Sequence, residues 1–326
     1  MLNKTESQLS GAVNKKIGNL QILRIFAASG VVIYHANMNI AGIHTDFFGV
    51  ALFFMLSGYL MCKLSNRSTL DFVRDRFWRI VPNYWLATIV LCTVFGLWSW
   101  WPVEHILLSF LFIPHDSPAG IYPVLGVGWT LNMEMYLYSV FAISIYINRI
   151  KAPIIAGLII LTVRFALPYV TDNKAIIYYY TSDYLLYFVI GIAIWYLTLT
   201  KSGASTKLPS WTFPISLFAY TIAVVFTSFI FLVPALFLIT ILASDRKHRL
   251  LILMGDSSYA CYLLHTILIE FLRTKGFLVS GTIPYTIGVL VASWAIAIAW
   301  YISVEKLILI LRRSIDNISI SSSPSK

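Results

Sequence analysis

"QILRIFAASGVVIYHANMN", residues 21–39, sets an arginine and a histidine inside a segment otherwise apolar enough to cross a bilayer. An ionisable group placed there is costly, about 2.5–3.5 kcal/mol for Arg at mid-membrane on insertion scales. The placement therefore asks for a reason. Arg24 and His35 are eleven residues apart. At about 100° per residue that returns to the same helical face, displaced by roughly 16 Å along the axis. Between them Ala27-Ala28-Ser29-Gly30 lets a neighbouring helix approach closely. The polar stripe is expected to face the interior of a helical bundle. The competing reading has Arg24 reaching back to lipid phosphates and His35 resting at the interface.

The rest of the chain is of the same kind. Of its 326 residues 59% are hydrophobic and 12% charged. That is about half the charge of a soluble domain, and the mean hydropathy is +0.79. The composition predicts an all-α integral membrane protein with about ten transmembrane helices. The spans are expected near 20–38, 47–64, 80–100, 126–147, 153–170, 184–199, 211–226, 229–243, 257–272 and 284–310. Spans seven and eight come from one long apolar run, divided on length at Thr227–Ser228.

One alternate set of connecting segments holds 18 Lys and Arg residues and the other only Lys174, Arg273 and Lys275. Basic residues are retained on the cytoplasmic side, so both termini are expected in the cytoplasm and the span count to be even. This distribution also accounts for the formal charge of +10 without a nucleic-acid partner. Residues 1–19 read as a cytoplasmic tail before an uncleaved anchor helix, with no charged–apolar–AxA signal pattern. Residues 20–311 read as the transmembrane domain and the Ser-rich 312–326 as a disordered cytoplasmic tail. Cys62, Cys92 and Cys261 are far apart, with neither disulfide nor metal spacing.

Further ionisable groups recur at membrane depth. In "GVGWTLNMEMYLY", 126–138, Glu134 falls roughly 12 Å below the end of its span. A buried carboxylate must be paired or protonated, and His35 lies at a compatible depth. A protonated Glu134 on a carbonyl is the alternative. "GDSSYACYLLH", 255–265, offers Asp256 and Ser257 as N-caps and brings His265 to mid-membrane, as a site residue or as a core histidine satisfied by a hydroxyl. His115 sits in a Pro- and Gly-bearing loop, either over a site or simply solvated. In "FVRDRFWRIVPNYW", 72–85, Arg76 and Arg79 share a helical face, which suits either positive-inside bias or a phosphate-rich ligand. Gly49, Ser57 and Gly58 of the second span read as helix packing.

These residues, in this order, resemble the membrane acyltransferase 3 family, in the branch that O-acetylates exopolysaccharides of the succinoglycan type. The resemblance runs over about residues 18–310. It is carried by Arg24-x10-His35, by "GVALFFMLSGYLM", by "RFWRIVPNYW", by the Trp129-Thr-Leu-x-x-Glu134 segment and by "SYACYLLH". The chain departs from the family where a terminal Glu-Lys/Arg-Pro is common; here Glu305-Lys306-Leu307 lacks the proline.

The resemblance implies a multi-pass enzyme of the inner (plasma) membrane. It would take an acyl group, acetyl in this branch, from cytoplasmic acyl-CoA to a polysaccharide or a lipid-linked saccharide, with no metal. It marks His35 as the essential histidine with Arg24 as its motif partner, Arg76 and Arg79 as a basic pair, and Glu134 and His265 as further polar positions. Joined to the depths above, this predicts Arg76 and Arg79 on the CoA phosphates and Arg24 along the pantetheine arm. His35 would act as general base, oriented by Glu134, with Trp129, His115 and His265 toward the acceptor. A direct transfer and an acyl-histidine route both fit. A transporter or flippase for lipid-linked saccharides or short acids is the rival from another class.

Overall fold

The computed structural model describes residues 18–36, 45–117, 120–200, 208–226, 232–244, 248–277 and 281–321. Among these residues there are thirteen α-helices and, apart from two isolated bridges, no extended pairing. They are α1 (Gly18–His35), α2 (Thr45–Leu64), α3 (Thr69–Val94), α4 (Val103–Phe110), α5 (Trp129–Ile147), α6 (Ala152–Ala166) and α7 (Lys174–Tyr180). There follow α8 (Tyr184–Thr200), α9 (Thr212–Phe226), α10 (Leu232–Leu242), α11 (Arg249–Thr274), α12 (Ile283–Trp300) and α13 (Lys306–Ser321).

Among the described residues five stretches are long and apolar enough to cross a membrane: Thr69–Val94, Ala152–Tyr169, Lys174–Thr198, Arg249–Thr274 and Ile283–Ile315. Gly49–Leu64 and Val233–Leu242 are shorter apolar helices. With no water in a bilayer core to satisfy the backbone, helices that close their own hydrogen bonds are the structure this composition permits. The chain is an all-α membrane protein. The division expected at Thr227–Ser228 and most of the expected N-terminal tail lie outside the described residues.

α1 runs through the centre, packed against α2 and α11, while α2 also lies along α8 and α11 along α12. Small residues permit this. A Cβ added at Gly58 would sit 2.1 Å from the Phe188 carbonyl oxygen, and one at Gly191 2.1 Å from that of Met55, so α2 and α8 interlock backbone to backbone. In lipid such close packing, rather than hydrophobic burial, holds helices together.

Two boundaries differ from the sequence expectation. α11 begins at Arg249, so Asp256 and Ser257 lie inside a helix rather than at its cap. The Gly-Asp-Ser-Ser chemistry is that of an N-cap, but tertiary partners hold it in the helix: Gln21 Nε2 and the Tyr301 hydroxyl donate to Asp256 at 3.3 and 3.4 Å. The tail expected to be disordered from 312 is instead helical to Ser321. α12 continues through a π-helical turn, Tyr301–Glu305, directly into α13. There is no proline to break it, and Arg312 of α13 is anchored by an ion pair to Asp75 of α3, which also holds Arg67.

Candidate active site

Two helices aim three guanidinium groups into one cavity of about 70 Å³. Arg24 comes from α1 and Arg76 and Arg79 from α3; Glu134, Tyr138, Ser57, Tyr259 and Tyr262 complete its polar wall. Arg79 is exposed and so stands at the rim, whereas Arg24 and Arg76 are half-buried. The α3 residues reach the cavity because the helix starts early, at Thr69, where the Ser68 side chain accepts from the Asp71 amide at 3.1 Å. The i, i+3 spacing of Arg76 and Arg79 then places both on one face.

Charge here is arranged rather than neutralised pairwise. Arg24 Nη1 donates to Gln21 Oε1 at 3.4 Å, and Gln21 in turn donates to Asp256. Arg79, Asp256, Glu305 and Glu134 all lie within electrostatic range of Arg24. Among the described residues the Nε atoms of Arg24 and Arg76 are buried with no hydrogen-bond acceptor, and Glu305 Oε1 with no donor. The Arg76 guanidinium lies 5.8 Å from the Tyr138 ring centre. Buried N–H groups without acceptors, in a wall with three cations and one carboxylate, are built to receive an anion with several oxygens.

Glu134 does not take the partner expected from the sequence. Its Oε1 accepts from Ser57 Oγ at 3.0 Å, and Arg76 and Arg79 are within electrostatic range. His35 instead meets His265: Nδ1 of His35 lies 3.2 Å from Nε2 of His265, with ring centres 5.0 Å apart. Depth alone made the His–Glu pair plausible; which side chain stands opposite His35 depends on α11 lying beside α1. The His35–His265 pair adjoins the cavity through Tyr262, whose ring lines it and lies 6.1 Å from that of His265. The Tyr262 hydroxyl is fixed by the Val127 carbonyl at 2.9 Å and Thr130 Oγ1 at 2.7 Å.

The remaining candidates fall elsewhere. Trp129 packs among aromatic rings, 5.3 Å from Tyr184 and 6.4 Å from Tyr178 between centres. His115 pairs with His105, Nε2 to Nδ1 at 2.7 Å, in the segment joining α3 to α5. Sequence reasoning missed Ser57, Tyr138, Tyr259, Asp256 and Glu305. Tyr138 had a usable signal, one turn beyond Glu134; Asp256 carried a misleading one.

The comparisons with known proteins agree on the class. The acyltransferase-domain family matches residues 17–304, and the chain belongs to that family of membrane acyltransferases. It is 35% identical over 280 residues to the exopolysaccharide production protein ExoZ of Rhizobium meliloti (strain 1021), covering 79% of this chain and 88% of that protein. It is 28% identical to the putative peptidoglycan O-acetyltransferase YrhL of Bacillus subtilis (strain 168), over 60% of this chain and 36% of that protein. It is 24% identical to the O-acetyltransferase OatA of Staphylococcus aureus (strain NCTC 8325 / PS 47), over 80% of this chain and 52% of that protein. The chain thus spans about a third and a half of the last two. No solved structure matches it. The transporter reading gives way to the enzyme.

Proposed function

We propose that this chain transfers an acetyl group from cytoplasmic acetyl-CoA to a sugar hydroxyl of a surface polysaccharide or its lipid-linked precursor. It does so from the inner membrane, with ten spans and both termini inside, as the distribution of basic residues suggests. The observation that carries the reading is the convergence of Arg24, Arg76 and Arg79 on a cavity separated by one tyrosine ring from a histidine pair. Exopolysaccharide is favoured as acceptor because the ExoZ similarity extends over most of both chains.

In this reading Arg79 at the rim and Arg76 behind it hold the CoA phosphates. Bidentate guanidinium–phosphate contacts are the strong ones, and they would occupy the unmet Arg76 Nε. Arg24, deeper, braces the acyl-pantetheine arm. The acceptor hydroxyl oxygen attacks the thioester carbonyl carbon while its proton passes to His35. The C–S bond then breaks, and the CoA sulfur leaves and takes the proton back from His35 as the thiol. General-base assistance of this kind contributes typically ~10²–10⁴-fold. Glu134, held by Ser57, sets the field around the guanidiniums.

The test uses purified full-length chain in nanodiscs with acetyl-CoA and surface polysaccharide stripped of its acetyl groups by mild alkali. Thiol release that requires the polysaccharide, with one acetyl mass gained per CoA formed, is expected. Polysaccharide-independent release, or none, ends the reading.

A further inference from the structure

We infer that His265 is a positioning residue for this reaction: it holds His35 in the tautomer whose Nε2 carries the lone pair. The inference rests on the reading of His35 as the base. Each of the two rings meets a backbone carbonyl one helical turn back. Nδ1 of His265 lies 3.0 Å from the Cys261 oxygen, and Nδ1 of His35 lies 3.0 Å from the Val31 oxygen. A carbonyl oxygen only accepts, so both Nδ1 atoms carry hydrogen. In a neutral imidazole the other nitrogen then holds the lone pair.

The contact between the rings has one consistent direction. His35 Nδ1–H donates to the lone pair of His265 Nε2 at 3.2 Å, sharing that hydrogen with the Val31 oxygen. The reverse assignment would turn a lone pair of His35 on the Val31 oxygen at 3.0 Å. Protonating His265 at Nε2 would set two N–H groups against each other.

His265 is fully buried and comes from the other end of the chain, so the pair cannot turn freely. Together with the Val31 carbonyl it does for His35 what a carboxylate does for histidine in a hydrolytic triad: the two acceptors select the tautomer and the ring plane. It does so without placing a second charge in the membrane. When His35 receives the acceptor's proton at Nε2, its Nδ1–H stays on His265 and the bond becomes charge-assisted. His265 itself gains and loses no proton.

The test compares His265→Leu, which removes the acceptor, with His265→Gln, whose Oε1 can take its place, in the nanodisc assay with acetyl-CoA and alkali-treated polysaccharide. His265→Leu should lower kcat by ~10²-fold while the acetyl-CoA KM moves less than ~3-fold, and His265→Gln should stay within ~10-fold of the parent. Equal losses in the two variants, or kcat for His265→Leu within ~3-fold of the parent, overturn the inference. His35→Ala separates the two readings. If it is inactive while His265→Leu is normal, only the role of His265 falls; if His35→Ala turns over normally, the base reading falls with it.

A second readout is taken on the unmodified chain, with a variant used only to identify signals. The chain has six histidines, so ring-¹⁵N labelling gives a sparse spectrum, with the His35 signals identified by their loss in His35→Gln. Nδ1 protonated and Nε2 bare at His35 is expected. The opposite tautomer overturns the inference.

Discussion

Among the described residues two histidine pairs are built on one plan, and one of them adjoins the arginine cavity. His35–His265 joins residues 230 apart along the chain, each on a long helix. His105–His115 joins residues ten apart within a single connecting segment. In the second pair His115 Nδ1 donates to the Ile113 carbonyl at 2.8 Å, so His105 Nδ1–H donates to His115 Nε2. Carbonyl, imidazole and imidazole are linked in the same sense in both. The loop pair lies under Trp101, with ring centres 4.8 Å apart, and among the described residues its buried His105 Nε2 has no donor to accept from. The helix pair lies beside Tyr262 and the guanidiniums. The same tautomer chemistry thus serves packing in one place and is offered for catalysis in the other. Position relative to the cavity makes the difference.

The largest expected effect breaks the helix pair. His35→Ala should lower turnover by ~10²–10⁴-fold with donor binding retained, measured as thiol release alongside acetyl-CoA binding. Next comes the cavity that distinguishes the two pairs. Arg79→Ala removes charge-assisted bonds worth about 1.5–3 kcal/mol and should raise the acetyl-CoA KM by ~10–100-fold, leaving kcat at saturation largely intact. Gly58→Ala tests the packing that holds α2, and with it Ser57, against α8. Its Cβ would meet backbone rather than a movable side chain, so a loss of about 1–3 kcal/mol is expected, read as a lower midpoint in thermal unfolding.

The loop pair should show a pH response of its own. Burial, and then the neighbouring His115, push the His105 imidazole down to about 4 from 6.5. The closed segment therefore binds fewer protons than the opened one between those values, and its stability falls as pH drops through that window. Hydrogen exchange across residues 103–117, corrected for the intrinsic rate, should speed up at pH 5 relative to pH 7.5, and His105→Gln should flatten the change. The smallest effect is on turnover: His105→Ala should leave kcat at neutral pH within ~3-fold of the parent, against the ~10²-fold or greater loss from the helix pair.

Much of the site was legible because an ionisable residue at membrane depth needs a reason. Arg24 and Glu134 stand out on that ground, Arg76 and Arg79 as a basic pair on one helical face, and the structure lines one cavity with all four. Trp129, marked by the motif it opens, and His115, marked as a loop histidine, are instead taken up by neighbouring rings. Ser57 looked like a packing residue because a serine beside glycine in an apolar helix usually is one; only α5 passing at hydrogen-bond distance gives it Glu134. Asp256 looked like a cap because local chemistry favours one. The helix runs through it because Gln21 and Tyr301, remote in sequence, satisfy its carboxylate.

By itself the sequence determined the class of molecule: helices in a membrane, a basic cluster on one helix face, an arginine and a histidine on another, and an order of motifs that resembles one family. Composition and period suffice for that, since both depend only on residues near one another along the chain. The tertiary structure alone decided the partners: His265 rather than Glu134 for His35, Ser57 for Glu134, His105 for His115. A helical period says which face a side chain occupies, but the group that meets it depends on which other helix lies alongside at that depth and how that helix is turned.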